Sequence, residues 1–233
     1  LFTDLVERVG KVIIRENTIY VEDIDLSKVL EVEEKRECYE SALFFDLEHY
    51  VYKKPVCIGV FGCSYYNKED SSINVTQYMI ENKKEAIDVL FMAESYFKVM
   101  AEREKKGYIV TFSGNNDFSV IKYLFTQHNI DFNFEDHFVH IDLQKEYEKK
   151  FKESIGLKNL EKLMGIEREG EIVNGANLAK TFSKVVKDKD YIKRMPEDKI
   201  QRILLYNEQD VVNLFHIYTN WNKLPCLKED SEI

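Results

Sequence analysis

The chain has 233 residues, 44% hydrophobic and 32% charged, with a formal net charge of −9. These totals suit one large folded domain, or a domain with an appendage, and exclude a disordered chain. No apolar run approaches the roughly 20 residues of a bilayer span, and the negative balance argues against a general polyanion-coating protein, although a carboxylate-rich metal site would add negative charge of its own.

The charge is uneven. Residues 1–50 carry six Lys/Arg against thirteen Asp/Glu, whereas residues 145–202 carry fifteen against eleven, which reads either as solvated helix faces or as a basic flank beside an acidic centre. The four cysteines, Cys38, Cys57, Cys63 and Cys226, have no paired or zinc-finger spacing. Reduced thiols and a cytoplasmic protein are the expectation, with no signal-peptide pattern after Leu1.

In chain order, "KVIIRE" and "TIYVEDI" are short strand-like pieces followed by the acidic "EVEEKRE". Residues 1–40 are therefore expected to form an N-terminal extension packed on the edge of a main sheet. "LFFDLE", "VCIGVFGC" and "INVTQYMI" are three consecutive strand candidates. A helix is expected from about Lys84 to Lys106, with Ile87, Leu90, Phe91, Phe97 and Met100 at helical spacing and Gly107 as its stop. The strand "YIVTF", a turn at "SGNND", a second helix and the strand "HFVHIDL" follow, and beyond residue 142 the chain reads helical, with breaks at Gly156, Gly165, Gly175 and Pro196.

Consecutive strands pair as antiparallel neighbours, and strands separated by helices pair as parallel crossovers. The order predicts an α/β fold with a five-stranded mixed sheet, three antiparallel strands and then parallel ones, flanked by helices over residues 41–222. Residues 223–233 are expected to be a tail.

Four places carry acids that a core-building sequence would not choose. Asp46 and Glu48 follow the apolar run Ala42–Phe45 and project from one side of a strand, roughly 6–7 Å apart at ~3.3 Å per residue. Asp117 opens a helix, where the helix dipole alone would favour it. Asp210 lies in "RILLYNEQDVVNLFHIY", one turn after Tyr206 and on the same helical face. Singly, each has an ordinary alternative: a strand running into solvent, a helix N-terminal residue, a partly exposed helix residue. Brought together, they would repel one another unless a cation neutralised them, and hard oxygen ligands suit Mg²⁺ or Mn²⁺.

Asp46-Leu47-Glu48, Asp117 and Tyr206-Asn207-Glu208-Gln209-Asp210 resemble the three motifs of the DEDD (DnaQ-like) 3′–5′ exonucleases, and the tyrosine points to the DEDDy type. "IVTFSGNNDFSVIKYL", "HIDLQKEY", "GLKNLEKLMGIERE" and "VNGANLAKTF" are similar to the YprB-like branch of the ribonuclease-H-like proteins, over about residues 42–220. The resemblance implies a ribonuclease-H-like fold and two-metal-ion hydrolysis of terminal phosphodiesters in DNA or RNA, with single-stranded 3′ ends the expected substrate. It assigns catalytic roles to Asp46, Glu48, Asp117, Tyr206 and Asp210, with the four carboxylates holding two Mg²⁺ or Mn²⁺ ions. The family commonly has Phe immediately before the middle aspartate. Here Asn116 precedes it and Phe118 follows, which makes Asn115 and Asn116 candidates for binding a substrate phosphate.

Lys158, opening "LKNLEKL", is a further phosphate candidate or a solvent-facing lysine, and Tyr65, Tyr66 and Phe118 are candidates for stacking a base. His137 and His140 are expected to be structural, facing opposite sides of a strand. Two other readings are a catalytically silent module that binds nucleic acid or a protein, and a hydrolase of a small nucleotide, for which "SGNND" is a poor phosphate cradle.

Overall fold

The structure, a computed structural model, describes residues 5–9, 12–170 and 175–224. Most of the expected tail, with Cys226, lies outside the described residues. The strands are β1 (Leu5–Val9), β2 (Val12–Tyr20), β3 (Ala42–Tyr52), β4 (Lys54–Asn67), β5 (Ser72–Ile80), β6 (Tyr108–Thr111) and β7 (Val139–Asp142). The helices are α1 (Ala86–Glu102), α2 (Asn115–Gln127), α3 (Leu143–Phe151), α4 (Leu157–Leu163), α5 (Gly175–Lys187) and α6 (Glu197–Thr219).

The strands form one sheet in the order β1-β2-β5-β4-β3-β6-β7. β5, β4 and β3 pair antiparallel, and β6 and β7 add parallel to β3. The five expected strands are therefore present in an α/β fold, and the sheet has seven because the N-terminal segment joins it. "KVIIRE" and "TIYVEDI" are not two pieces: β2 runs unbroken through Asn17 and Thr18, pairs along all of β5, and carries β1 outside it. Asn17, which separates the two expected pieces, is instead a ladder residue opposite Val75.

Alternation along β3 sends successive side chains to opposite faces. Phe45 meets Phe97 of α1 at 5.4 Å between ring centroids, whereas Phe44 meets Phe215 of α6 at 5.5 Å. α1 starts after a short turn in which Asn82 and Glu85 form a reciprocal capping box. It ends at Glu102, before the expected Lys106, which is buried with its ammonium donating to the carbonyls of Glu40 (2.7 Å) and Tyr66 (3.1 Å). Phe91 is exposed rather than core-facing, because Val89, Leu90, Ala93, Tyr96, Phe97 and Met100 form the buried stripe.

Candidate active site

β3 outruns its parallel neighbour. β6 pairs with it only at Ala42, Leu43 and Phe44, then leaves the sheet at Thr111 and turns into α2. Asp46 and Glu48 lie just beyond, where the sheet opens. Between Glu48 and His49 the register with β4 shifts by one residue, Gly59 being the extra one, which places a bulge in β4 beside the opening. The turn from β6 to α2 passes through Ser113 at φ 57, a left-handed backbone that costs a non-glycine residue roughly 1–2 kcal/mol. Asp142 holds it by accepting from the Ser113 N–H at 2.9 Å. The turn delivers Asp117, third residue of α2, into the wall of the same cleft.

The last carboxylate arrives on α6. This helix begins after Pro196 with Glu197 and Asp198 in its first turn, the position the helix dipole favours for acids. Two buried side chains fasten its backbone to the sheet: Ser64 donates to the Val211 carbonyl (3.1 Å) and Gln77 to that of Leu204 (2.9 Å). Gly62, registered opposite Asp46, lets the helix come close, since a Cβ there would lie 2.0 Å from the Asn207 amide oxygen. Asn207, wholly buried, accepts from Gln77 (2.8 Å) and donates to Asp46 (3.0 Å).

One oxygen from each of Asp46, Glu48 and Asp210 lies within 4.8 Å of the others. Asp117 and Tyr206 complete the cleft wall, together with His49, Asn116, Lys158 and Arg168. Burial, followed by the neighbouring carboxylates, pushes the carboxyl of Asp46 up to about 7 and those of Asp117 and Asp210 up to about 8. Glu48 is raised well above its ordinary range for the same reasons, with Asp46 the leading neighbour. Burial and then Asp210 also raise the Tyr206 phenol, which keeps its proton at neutral pH. Crowded carboxylates that resist ionisation, with no sulfur or imidazole in the triad, are a donor set that fits a hard divalent cation.

A cation already sits beside them. Arg168 pairs with Asp210 and forks onto Glu161, Nε to Oε2 at 2.7 Å and Nη2 to Oε1 at 2.6 Å. Asn213 pins the same Glu161 oxygen at 2.9 Å. The Arg168 guanidinium and the Lys158 ammonium lie 5.2 and 4.8 Å from the centre of the Tyr206 ring, within cation–π range.

The expected residues are not all at one place. Asp46, Glu48, Asp117, Tyr206, Asp210, Asn116 and Lys158 share the cleft. Asn115 does not: it accepts from Lys145 (3.3 Å) and lines a neighbouring hollow with Ser119 and Lys122. Asn116 meets His49 at 3.2 Å. Phe118 and Tyr66 are buried in the core against Phe45 and Phe215, respectively, so neither offers a face to a base. His137 precedes β7 and stacks on Phe132, while His140 meets Thr111 at 2.8 Å.

Arg168, Asn207 and His49 escaped the sequence reading. Asn207 had a signal: it interrupts the sheet-facing series Ile203, Asn207, Val211 at four-residue spacing, and an amide in such a stripe needs a buried partner. Arg168 had none, because its partners lie on α4 and α6.

A family model described as RNase_H superfamily matches residues 43–222. No curated protein matches the chain.

Proposed function

The chain belongs to the ribonuclease H superfamily, and we propose that within it this protein is a metal-dependent 3′–5′ exonuclease of the DEDDy type, hydrolysing terminal phosphodiesters of DNA or RNA. The observation that carries the reading is the meeting of Asp46, Glu48 and Asp210 within 4.8 Å, with Asp117 and Tyr206 in the same cleft wall. A site that merely binds strands has no use for four acids where a phosphate must approach.

Asp46, Glu48, Asp117 and Asp210 would hold two Mg²⁺ or Mn²⁺ ions. Bound there, the ions would supply charge neutralisation, water activation and stabilisation of the leaving oxygen. The chain's own groups do the positioning. Asn207 fixes Asp46 against the sheet, and Arg168 fixes Asp210. Tyr206, protonated, and Glu48 orient the attacking water. Lys158 and Asn116 face the substrate phosphate. Water adds to phosphorus as the bond to the 3′-oxygen breaks, the 3′-oxygen takes up a proton, and a nucleoside 5′-monophosphate leaves a shortened strand.

A cytoplasmic location belongs to the same reading, supported by Cys38, Cys57 and Cys63 being free and buried. Among the described residues no helix is long and apolar enough to cross a membrane.

The test is hydrolysis of single-stranded DNA and RNA with Mn²⁺, each strand end labelled in turn. A 5′-labelled strand should shorten stepwise with wild type and stay intact with Asp46→Ala. Retardation on a gel without shortening would instead support a silent binding module.

A further inference from the structure

Two aspartates of the cleft have fixed partners, Asn207 for Asp46 and Arg168 for Asp210. The group that faces Asp117 is His49. It follows Glu48 on β3, beside the register shift against β4, and its Nδ1 lies 3.7 Å from Asp117 Oδ1. His49, Asn116 and Asp117 all line the cleft.

The proton of the ring follows from its other contact. Asn116 Nδ2 is 3.2 Å from His49 Nε2. An amide nitrogen only donates, so Nε2 offers its lone pair, and a neutral imidazole then carries its hydrogen on Nδ1. Burial, opposed by the Leu47 carbonyl, lowers the pKa of the ring and agrees with the neutral form. Nδ1 is buried and makes no hydrogen bond among the described residues. At 3.7 Å it stands just outside the roughly 2.7–3.2 Å of an N–H···O bond, with Asp117 Oδ1 as the acceptor in front of it.

Asn116 and Asp117 are consecutive in the first turn of α2, the one exposed and the other buried. One imidazole spans both, with Nε2 held at the rim and Nδ1 facing the buried acid. Phenylalanine, common before the middle aspartate in the resembled family, could not supply the Asn116 bond.

We propose that His49 is the positioning residue of Asp117, donating through Nδ1 to Oδ1 so that the other carboxylate oxygen is left for a divalent ion, with Asn116 fixing the tautomer. Carboxylates that bind metal are as a rule hydrogen-bonded themselves, and losing such a partner costs about 10–100-fold in metal affinity. The proposal rests on the metal-dependent reading of the cleft. It ties His49 to the ion held by Asp117, not to the one held by Asp46, Glu48 and Asp210.

Two variants separate this role from ordinary packing. His49→Asn can place an amide N–H where Nδ1 stands, whereas His49→Gln reaches the Nε2 position and leaves Asp117 without a donor. Nitrogen-15 NMR of the metal-free wild type, with the ring assigned through the His49 backbone, should show a neutral imidazole protonated on Nδ1. Titration with Mn²⁺, followed by the electron paramagnetic resonance of the free ion, should give two bound ions in wild type. His49→Gln should weaken only the second, about 10–100-fold, and His49→Asn should restore most of that loss.

A ring protonated on Nε2 would overturn the proposal. So would a second ion held equally by wild type and His49→Gln, or lost equally from both variants. Fewer than two ions bound by wild type would defeat the two-ion exonuclease reading itself, and this proposal with it.

Discussion

Asn207 on α6 donates to Asp46 on β3 at 3.0 Å, reaching it over Gly62, the β4 residue registered opposite that aspartate. The contact joins two motifs 161 residues apart, and it exists only because the sheet offers bare backbone where the helix crosses.

Gly62→Ala tests that relationship. Its Cβ would meet the Asn207 amide oxygen at 2.0 Å, and crowding of this kind costs about 1–3 kcal/mol. The variant should fold with a lowered Tm and, because Asn207 must shift, bind Mn²⁺ more weakly than wild type in calorimetric titration. Wild-type affinity would mean that Asn207 does not set the Asp46 orientation.

The metal-free protein should lose stability as pH rises. Asp46, Asp117 and Asp210 have folded-state carboxyls pushed above the ordinary aspartate value of 3.8, to about 7, 8 and 8. Between pH 4 and 8 the folded chain keeps protons that the unfolded chain has released. Their contribution is complete below pH 4 and fades through pH 7–8, each group giving a slope of at most about 1.4 kcal/mol per pH unit. Urea melts in EDTA at pH 6 and pH 8 check the sign. Asp117→Asn, which removes one of the crowded charges, should be more stable than wild type at pH 8.

The N-terminal strand should matter to the site. Asn17 on β2 donates to the buried Glu208 at 3.1 Å, and Arg15 lies 3.5 Å from the same carboxylate. Breaking a buried charge pair costs about 3–5 kcal/mol, and a truncation after Tyr20 would also unpair β5. Loss of residues 1–20 should therefore give a protein unfolded or strongly destabilised in thermal melts. A truncated chain with the full-length Tm would make the segment a dispensable appendage.

Catalytic variants should separate by role. Asp46→Ala and Asp210→Ala should abolish strand shortening, whereas Tyr206→Phe, which keeps the ring between Lys158 and Arg168, should retain measurable turnover. A Tyr206→Phe enzyme as inactive as Asp46→Ala would assign the phenol more than the orientation of water.

The central strands and the acid pair were legible because they rest on local pattern. Alternation along β3 placed Asp46 and Glu48 on one face, and four-residue spacing placed Tyr206 above Asp210. The seven-stranded sheet was not, since Asn17 reads as a gap between two short pieces until β5 and Glu208 are beside it. Asn115 and Asn116 are neighbours in sequence, yet one helical step of about 100° turns them to different hollows. Arg168 was invisible for a related reason: its partners Glu161 and Asp210 come from two separate helices, and no spacing rule links them.

The most direct test is thermal stabilisation by Mn²⁺ at pH 8, wild type against Asp46→Ala. At a hundredfold excess over Kd, a bound ion adds about 2.7 kcal/mol, roughly 5–10 °C in Tm for a chain of this size. Wild type should gain that shift and Asp46→Ala should not. Equal shifts in the two proteins would place any bound metal elsewhere and contradict the carboxylate site.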